Sequence, residues 1–143
     1  MEYLWLIFAL LSALAASLVA IFGKIGLQGI DTNTATAIRA VIMAIFLIGV
    51  ILIQGKLQNI TPILLNSKAL FYIVISGIAG ALSWLFYFIA LKSAKVSQVV
   101  PIDRLSVVFA LLLAFFILGE KISLKAGIGA AFVVVGGILI ALG

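Results

Sequence analysis

Apolar residues run almost unbroken through five segments of this chain, residues 3–22, 35–53, 69–91, 96–118 and 126–143, and polar residues gather in the four gaps between them. Each segment approaches or exceeds the about 20 apolar residues that a helix needs to cross a bilayer. The pattern predicts an all-α polytopic membrane protein with five transmembrane helices. An odd number of spans puts the two ends of the chain on opposite sides of the membrane. A water-soluble bundle would need a polar face on every helix, and segments 3–22 and 69–91 carry neither a charge nor a polar stripe.

The gaps supply the punctuation. The first, residues 23–34, holds Gly23, Gly26 and Gly29 and then Asp31, Thr32 and Asn33, residues that turn the chain and cap a helix N-terminus. The second, residues 54–68, is the longest, and Pro62 ahead of Ile63, Leu64 and Leu65 suggests a short interfacial turn. Lys56, Asn59, Asn66 and Lys68 face water there. The third is a tight link from Lys92 to Lys95, with Ser97 as the expected cap of the fourth helix, so helices three and four are expected to be antiparallel neighbours. The fourth, residues 119–125, joins helices four and five in the same way, with Ser123 as a cap. Small residues recur one turn apart at Ala9, Ala13 and Ser17, at Ser76 and Gly80, at Ala126 and Ala130, and at Gly137 and Ala141. Such stripes let helices approach closely in lipid, and they suit packing within the bundle or a contact between subunits.

Composition sharpens the membrane reading. With 66% hydrophobic and only 9% charged residues, and a mean hydropathy of +1.47, the bilayer has to be the solvent. The first segment is read as a permanent helix rather than a signal peptide, because it is long, follows Glu2 instead of a basic region, and is succeeded by four more. The chain has no Cys and no His, which excludes disulfides, thiolate chemistry and imidazole ligands or bases. Lipid is the expected partner, with no nucleic acid, metal or cofactor. No phosphate-binding glycine loop is present, so any work the chain does has to draw on an ion or solute gradient.

Orientation is not set by charge. The first and third gaps carry Lys24, Lys92 and Lys95, and the second and fourth carry Lys56, Lys68, Lys121 and Lys125. Loop lysines and arginines normally bias topology. Here the bias is near zero. Either another feature fixes the orientation, or the chain inserts both ways and pairs head to tail.

Charges inside the spans are the candidates for chemistry. Asp103 and Arg104 lie six or seven residues beyond the start of the fourth span, roughly 10 Å along a helix, where an uncompensated charge costs several kcal/mol. Neighbours in sequence point about 100° apart on a helix, so each needs another partner. Asp103 shares a face with Ser106, Ala110 and Ala114, and Arg104 with Ser97, Val100 and Val108. Arg39, one turn into the second span, is the natural opposite charge for Asp103. Pro101 removes a backbone hydrogen bond to Ser97 and is the expected hinge. Against this polar-pocket reading stands a plainer one, in which both arginines snorkel to the headgroups and Asp103 satisfies one of them. Trp84 and Tyr87 are candidate cavity walls within an aromatic cluster that also includes Phe86 and Phe88. Lys24 is an anchor or gate, and Glu120, set unfavourably at a helix C-terminus, is expected to pair with Lys121 or Lys125.

The run from Phe86 to Lys92, the Val99-Val100-Pro101-Ile102 stretch, the segment from Leu118 through Gly119-Glu120-Lys121 to Ser123 and the Gly-rich last helix together resemble an EamA domain of the drug/metabolite transporter superfamily. Phe22-Gly23-Lys24 and Arg39 extend the resemblance to the first half. It implies a single EamA-like domain over residues 1–143, equivalent to one half of an inverted-repeat ten-helix transporter. A second copy would then supply the missing half, as a homodimer that the weak charge bias allows to be antiparallel. The small multidrug resistance proteins are distant relatives with a buried Glu in their first helix. Here that helix has no acid, which argues against their mechanism.

The sequence is therefore read as a secondary transporter in a prokaryotic plasma membrane, exporting a small polar or amphipathic metabolite by alternating access. The alternative is a non-transporting membrane subunit, or a partner that translocates lipid-linked groups. An enzyme is disfavoured, because one buried acid without His or Cys lacks the usual base and nucleophile.

Overall fold

The computed structural model describes residues 3–143, so Glu2 lies outside the described residues. Among these the regular structure is helical throughout: α1 (Leu4–Gly26), α2 (Thr32–Ile53), a 3₁₀ turn (Leu57–Asn59), α3 (Ile60–Leu65), α4 (Ser67–Ser93), α5 (Val96–Asp103), α6 (Ser106–Leu113), a π-helical turn (Ala114–Leu118) and α7 (Leu124–Leu142). Five stretches are long and apolar enough to span a membrane, the fourth being α5, α6 and the π turn taken together. In each of them 6% or less of the most apolar window is buried within the chain. Their surfaces are built for lipid or for another protein.

Helix ends follow the capping residues. α1 runs past Phe22 to Gly26, and α2 starts at Thr32, because Asp31 accepts a hydrogen bond from the Thr34 N–H at 2.7 Å and so caps the helix. The second gap folds as expected into short helical turns, with Pro62 in the first turn of α3, where a missing N–H is tolerated. Asn66 Oδ1 accepts the Ala69 N–H at 3.1 Å, and α4 accordingly begins at Ser67. Ser123 caps α7 by accepting the Ala126 N–H at 3.2 Å. Ser97 does not cap the fourth span. Lys95 holds that position, and its N–H donates to Gln98 Oε1 at 3.3 Å.

The chain divides into two compact units. In the first, α1 joins residues 93–143: α5 packs on α7 and more lightly on α1, and α6 touches α7. The fourth and fifth spans are thus neighbours, as their short link requires. Lys24 Nζ donates to the Ala94 carbonyl at 2.8 Å, tying the end of α1 to the entry of α5. Gln98 Nε2 donates to the Ala141 carbonyl at 3.4 Å across the α5–α7 contact.

The fourth span is interrupted. Leu105 N–H bonds to the Ile102 carbonyl at 3.0 Å, Val107 to Arg104 at 3.1 Å and Val108 to Leu105 at 2.9 Å, all steps of three residues. Such 3₁₀ steps advance about 120° per residue rather than about 100°. Residues three apart eclipse in such a turn, which keeps Asp103 and Ser106 on one face. The interruption falls at Arg104 and Leu105, beyond the hinge assigned to Pro101. Pro101 sits inside α5, and its carbonyl oxygen faces Gly137 of α7. The span ends on Gly119 in the left-handed conformation (φ 68°), with Glu120 N–H reaching back six residues to the Ala114 carbonyl at 3.2 Å. The left-handed backbone at this position is one that glycine adopts without steric cost.

The second unit, Leu27–Lys92, consists of α2, α3 and α4. Lys92 Nζ donates to the Ile30 carbonyl at 2.9 Å, which fastens the end of α4 to the segment entering α2. Thr36 Oγ1 donates back to the Thr32 carbonyl at 2.7 Å, so this buried hydroxyl is satisfied within its own helix.

Candidate substrate site

A cavity of about 540 Å³ opens between α2 and α4. Helical periodicity builds both walls. On α2, Asn33, Thr36, Ala40, Ala44 and Leu47 recur every three or four residues, and on α4 Gly77, Gly80, Ala81 and Trp84 do the same. The small side chains facing one another leave the space. Met43 adds a flexible apolar surface.

One charged side chain lines this cavity, Arg39. Its guanidinium carbon stands 3.6 Å from the centroid of the Trp84 ring and 4.9 Å from that of Phe88. A cation over an aromatic face is attracted by the ring quadrupole, by about 0.5–2 kcal/mol depending on how dry the site is. The sequence suggested a carboxylate partner for Arg39. Within its own unit an aromatic face holds the head instead, because residues 84 and 88 are one turn apart and present both rings on the same side of α4.

The aromatic cluster holds itself in place. Trp84 meets Tyr87 edge to face at 5.8 Å and 87°, and Phe88 at 5.6 Å, while Tyr87 and Phe88 are 5.8 Å apart. Phe88 is 3% exposed and Phe86, on the other face, 67%. Trp84 lines the cavity. Tyr87 does not; it buttresses the Trp84 ring from the side.

The remaining candidates lie in the first unit. Asp103 closes α5, Arg104 occupies the turn and Ser106 opens α6, all three exposed. Within that unit, among the described residues, neither Asp103 nor Arg104 has a hydrogen-bonding or ion-pairing side-chain partner. Ser97 is exposed in the first turn of α5. Lys24 is engaged with Ala94 as described, which makes it a tether between helices. Glu120 is exposed, and the expected pair with Lys121 or Lys125 does not form. Its backbone N–H already closes the helix, and its side chain faces outward.

Sequence reasoning missed Asn33, Thr36, Ala40, Ala44, Gly77 and Ala81. The signal was available, since small or polar residues at three- and four-residue spacing surround both Arg39 and Trp84. The stripes singled out instead were made of small residues only, and of these only Gly80 reaches the cavity.

Comparison with known proteins agrees with the membrane architecture. The EamA-like transporter family matches residues 3–142. A Sinorhizobium protein described as an uncharacterized transporter in the cobO 3' region is 36% identical over 141 residues, covering 99% of this chain and 99% of that protein. No solved structure matches the chain significantly. With the family spanning nearly every residue and a full-length transporter relative beside it, the chain belongs to the EamA-like transporter family, as an integral membrane transporter.

Proposed function

We propose that this protein is a secondary transporter of the prokaryotic plasma membrane that exports a small polar or amphipathic metabolite. It works as a dimer by alternating access, each five-span copy serving as one half of an inverted-repeat plan. The observation that carries this reading is Arg39 held over Trp84 on the wall of a cavity of about 540 Å³. A largely apolar concavity with one oriented polar group is the usual form of a small-molecule site.

The other charges take supporting roles. Asp103 is the proton- or cation-responsive group, and Arg104 compensates its charge in the dimer. Both are exposed within a span, where lipid alone would be a poor surrounding. The interrupted stretch around Arg104 and Leu105 gives the fourth span a place to bend. Transport without covalent chemistry accounts for a polar inventory that has no base and nucleophile pair.

A test begins with a thermal-shift screen of metabolites on the purified protein, since a ligand that binds the folded state raises its apparent stability. Flux of each hit is then measured in proteoliposomes. Ala81→Phe, which fills the cavity, should lower flux at least tenfold while the protein remains folded. Unchanged flux in that variant would remove the cavity from the transport path.

A further inference from the structure

The charge pattern of the α2–α4 cavity narrows its ligand. Its walls are Ala, Gly, Leu and Met for most of their extent, and no Asp or Glu lines it. One permanent positive charge, Arg39, stands in this apolar surrounding. Its face is occupied by Trp84 and its position is fixed by Trp84 and Phe88. A guanidinium engaged through its face keeps the N–H donors in its own plane, in the fork that fits two oxygens of a carboxylate, phosphate or sulfonate. Asn33, on the same helix face, adds an uncharged amide at the cavity wall.

An organic cation fits poorly here. The aromatic face that would receive it is already taken by Arg39, and a second positive charge in a weakly screened cavity is repelled. A neutral ligand offers the guanidinium only uncharged acceptors and leaves its charge uncompensated. From these observations, and resting on the cavity being the substrate site, we infer that the cavity takes an amphipathic organic anion: an acidic headgroup at Arg39 and an apolar body along the Ala and Gly walls. The same chemistry is offered by water-soluble aromatic acids and by fatty acids partitioned into the membrane.

The protein carries its own reporter. Trp5 and Trp84 are its two tryptophans, so in a Trp5→Phe background Trp84 is the sole indole, and its emission responds to whatever approaches Arg39. The full chain, purified in a neutral detergent, is titrated with 3-phenylpropionate, decanoate, 3-phenylpropylamine and 3-phenylpropanol. At least one acid should change Trp84 emission saturably, at concentrations tenfold or more below those required for the amine and the alcohol. Saturation by 3-phenylpropionate alone identifies a soluble source, and by decanoate alone a membrane source. Arg39→Gln should weaken the acid at least tenfold, and Arg39→Lys, which keeps the charge and loses the fork, should fall between.

If the amine binds as tightly as the acids, or the acids bind Arg39→Gln undiminished, the anion assignment is overturned while the cavity stands. If no probe of any charge alters Trp84 emission, the cavity itself is not a ligand site and the functional reading fails with it. The comparison of acid with amine uses unaltered Arg39, so it holds even where the Arg39 variants do not fold.

Discussion

Gly137 faces Pro101 so closely that a Cβ at that position would stand 3.1 Å from the Pro101 carbonyl oxygen. That oxygen is backbone and cannot swing aside as a side-chain tip would. α5 therefore approaches α7 so closely that an added Cβ would force the Pro101 backbone to give by a few tenths of an ångström, and Gln98 bonding to Ala141 extends the same contact one turn further. Gly137→Ala should destabilise the protein by about 1–3 kcal/mol, the usual range for overpacking a tight contact. Gly136 is the control, because a Cβ there meets nothing within 4 Å. Gly136→Ala should be neutral or gain up to about 1 kcal/mol from helix propensity. Reversible unfolding in mixed micelles measures both, and equal losses at the two glycines would discard the close-approach explanation.

The five spans were legible in the sequence because hydrophobic length alone specifies a membrane helix. Caps made by a side chain were also legible: Asp31 and Ser123 perform the roles their residue types suggest. Ser97 misled for the complementary reason. A hydroxyl near a helix start competes with whatever else reaches the free N–H groups, and the amide of Gln98 pairs with Lys95 there instead. The interruption at Arg104 and Leu105 shows only in the backbone, where Leu105, Val107 and Val108 each bond three residues back, and no residue type at these positions announces it. Arg39 was visible as an intramembrane charge, but the aromatic face that holds it within its own unit was not. Opposite charge is easier to recognise in a sequence than an aromatic face, and only the register between α2 and α4 sets the guanidinium over Trp84.

The cap of α2 should be sensitive to acid. The backbone N–H of Thr34 is the main cause holding the Asp31 carboxyl below its ordinary value, with Lys92 contributing least. A carboxylate depressed in the folded state stabilises fully above the unfolded value of about 3.9, and that stability is lost as pH falls through the folded value. Asn also caps well but does not titrate. The difference in melting temperature between the wild type and Asp31→Asn should therefore be constant above about pH 5 and drift towards pH 3 as the wild type loses its charge. Because the group is fully exposed, high salt should shrink the difference. A difference independent of pH and salt would mean that the cap acts through shape alone.

Asp103 separates binding from coupling. If its part is the proposed coupling, removing its charge should leave ligand recognition in place. Asp103→Asn is expected to keep the Trp84 emission response within about threefold, while flux in proteoliposomes loses its dependence on an imposed pH gradient. Flux whose pH dependence survives the substitution would transfer the coupling role to another group. Loss of binding together with flux would instead make Asp103 part of the ligand site.

Topology is the remaining consequence of the lysine distribution. Lys24, Lys92 and Lys95 lie on one side and Lys56, Lys68, Lys121 and Lys125 on the other. With so little bias, the lysines give neither orientation a clear preference. A single Cys introduced as Gly143→Cys should accordingly be labelled from both faces of intact cells. Two variants carry the test further. Lys56→Gln with Lys121→Gln biases the chain one way, and Lys92→Gln with Lys95→Gln biases it the other. Each pair should give labelling from one face only. If the working form is an antiparallel dimer, each biased variant alone should transport poorly, and co-expression of the two should restore flux. Full activity of one single-orientation variant would establish a parallel arrangement, or a monomer, as the transporting form. One-sided labelling of Gly143→Cys in the otherwise unaltered chain would rule out dual insertion before the variants are made.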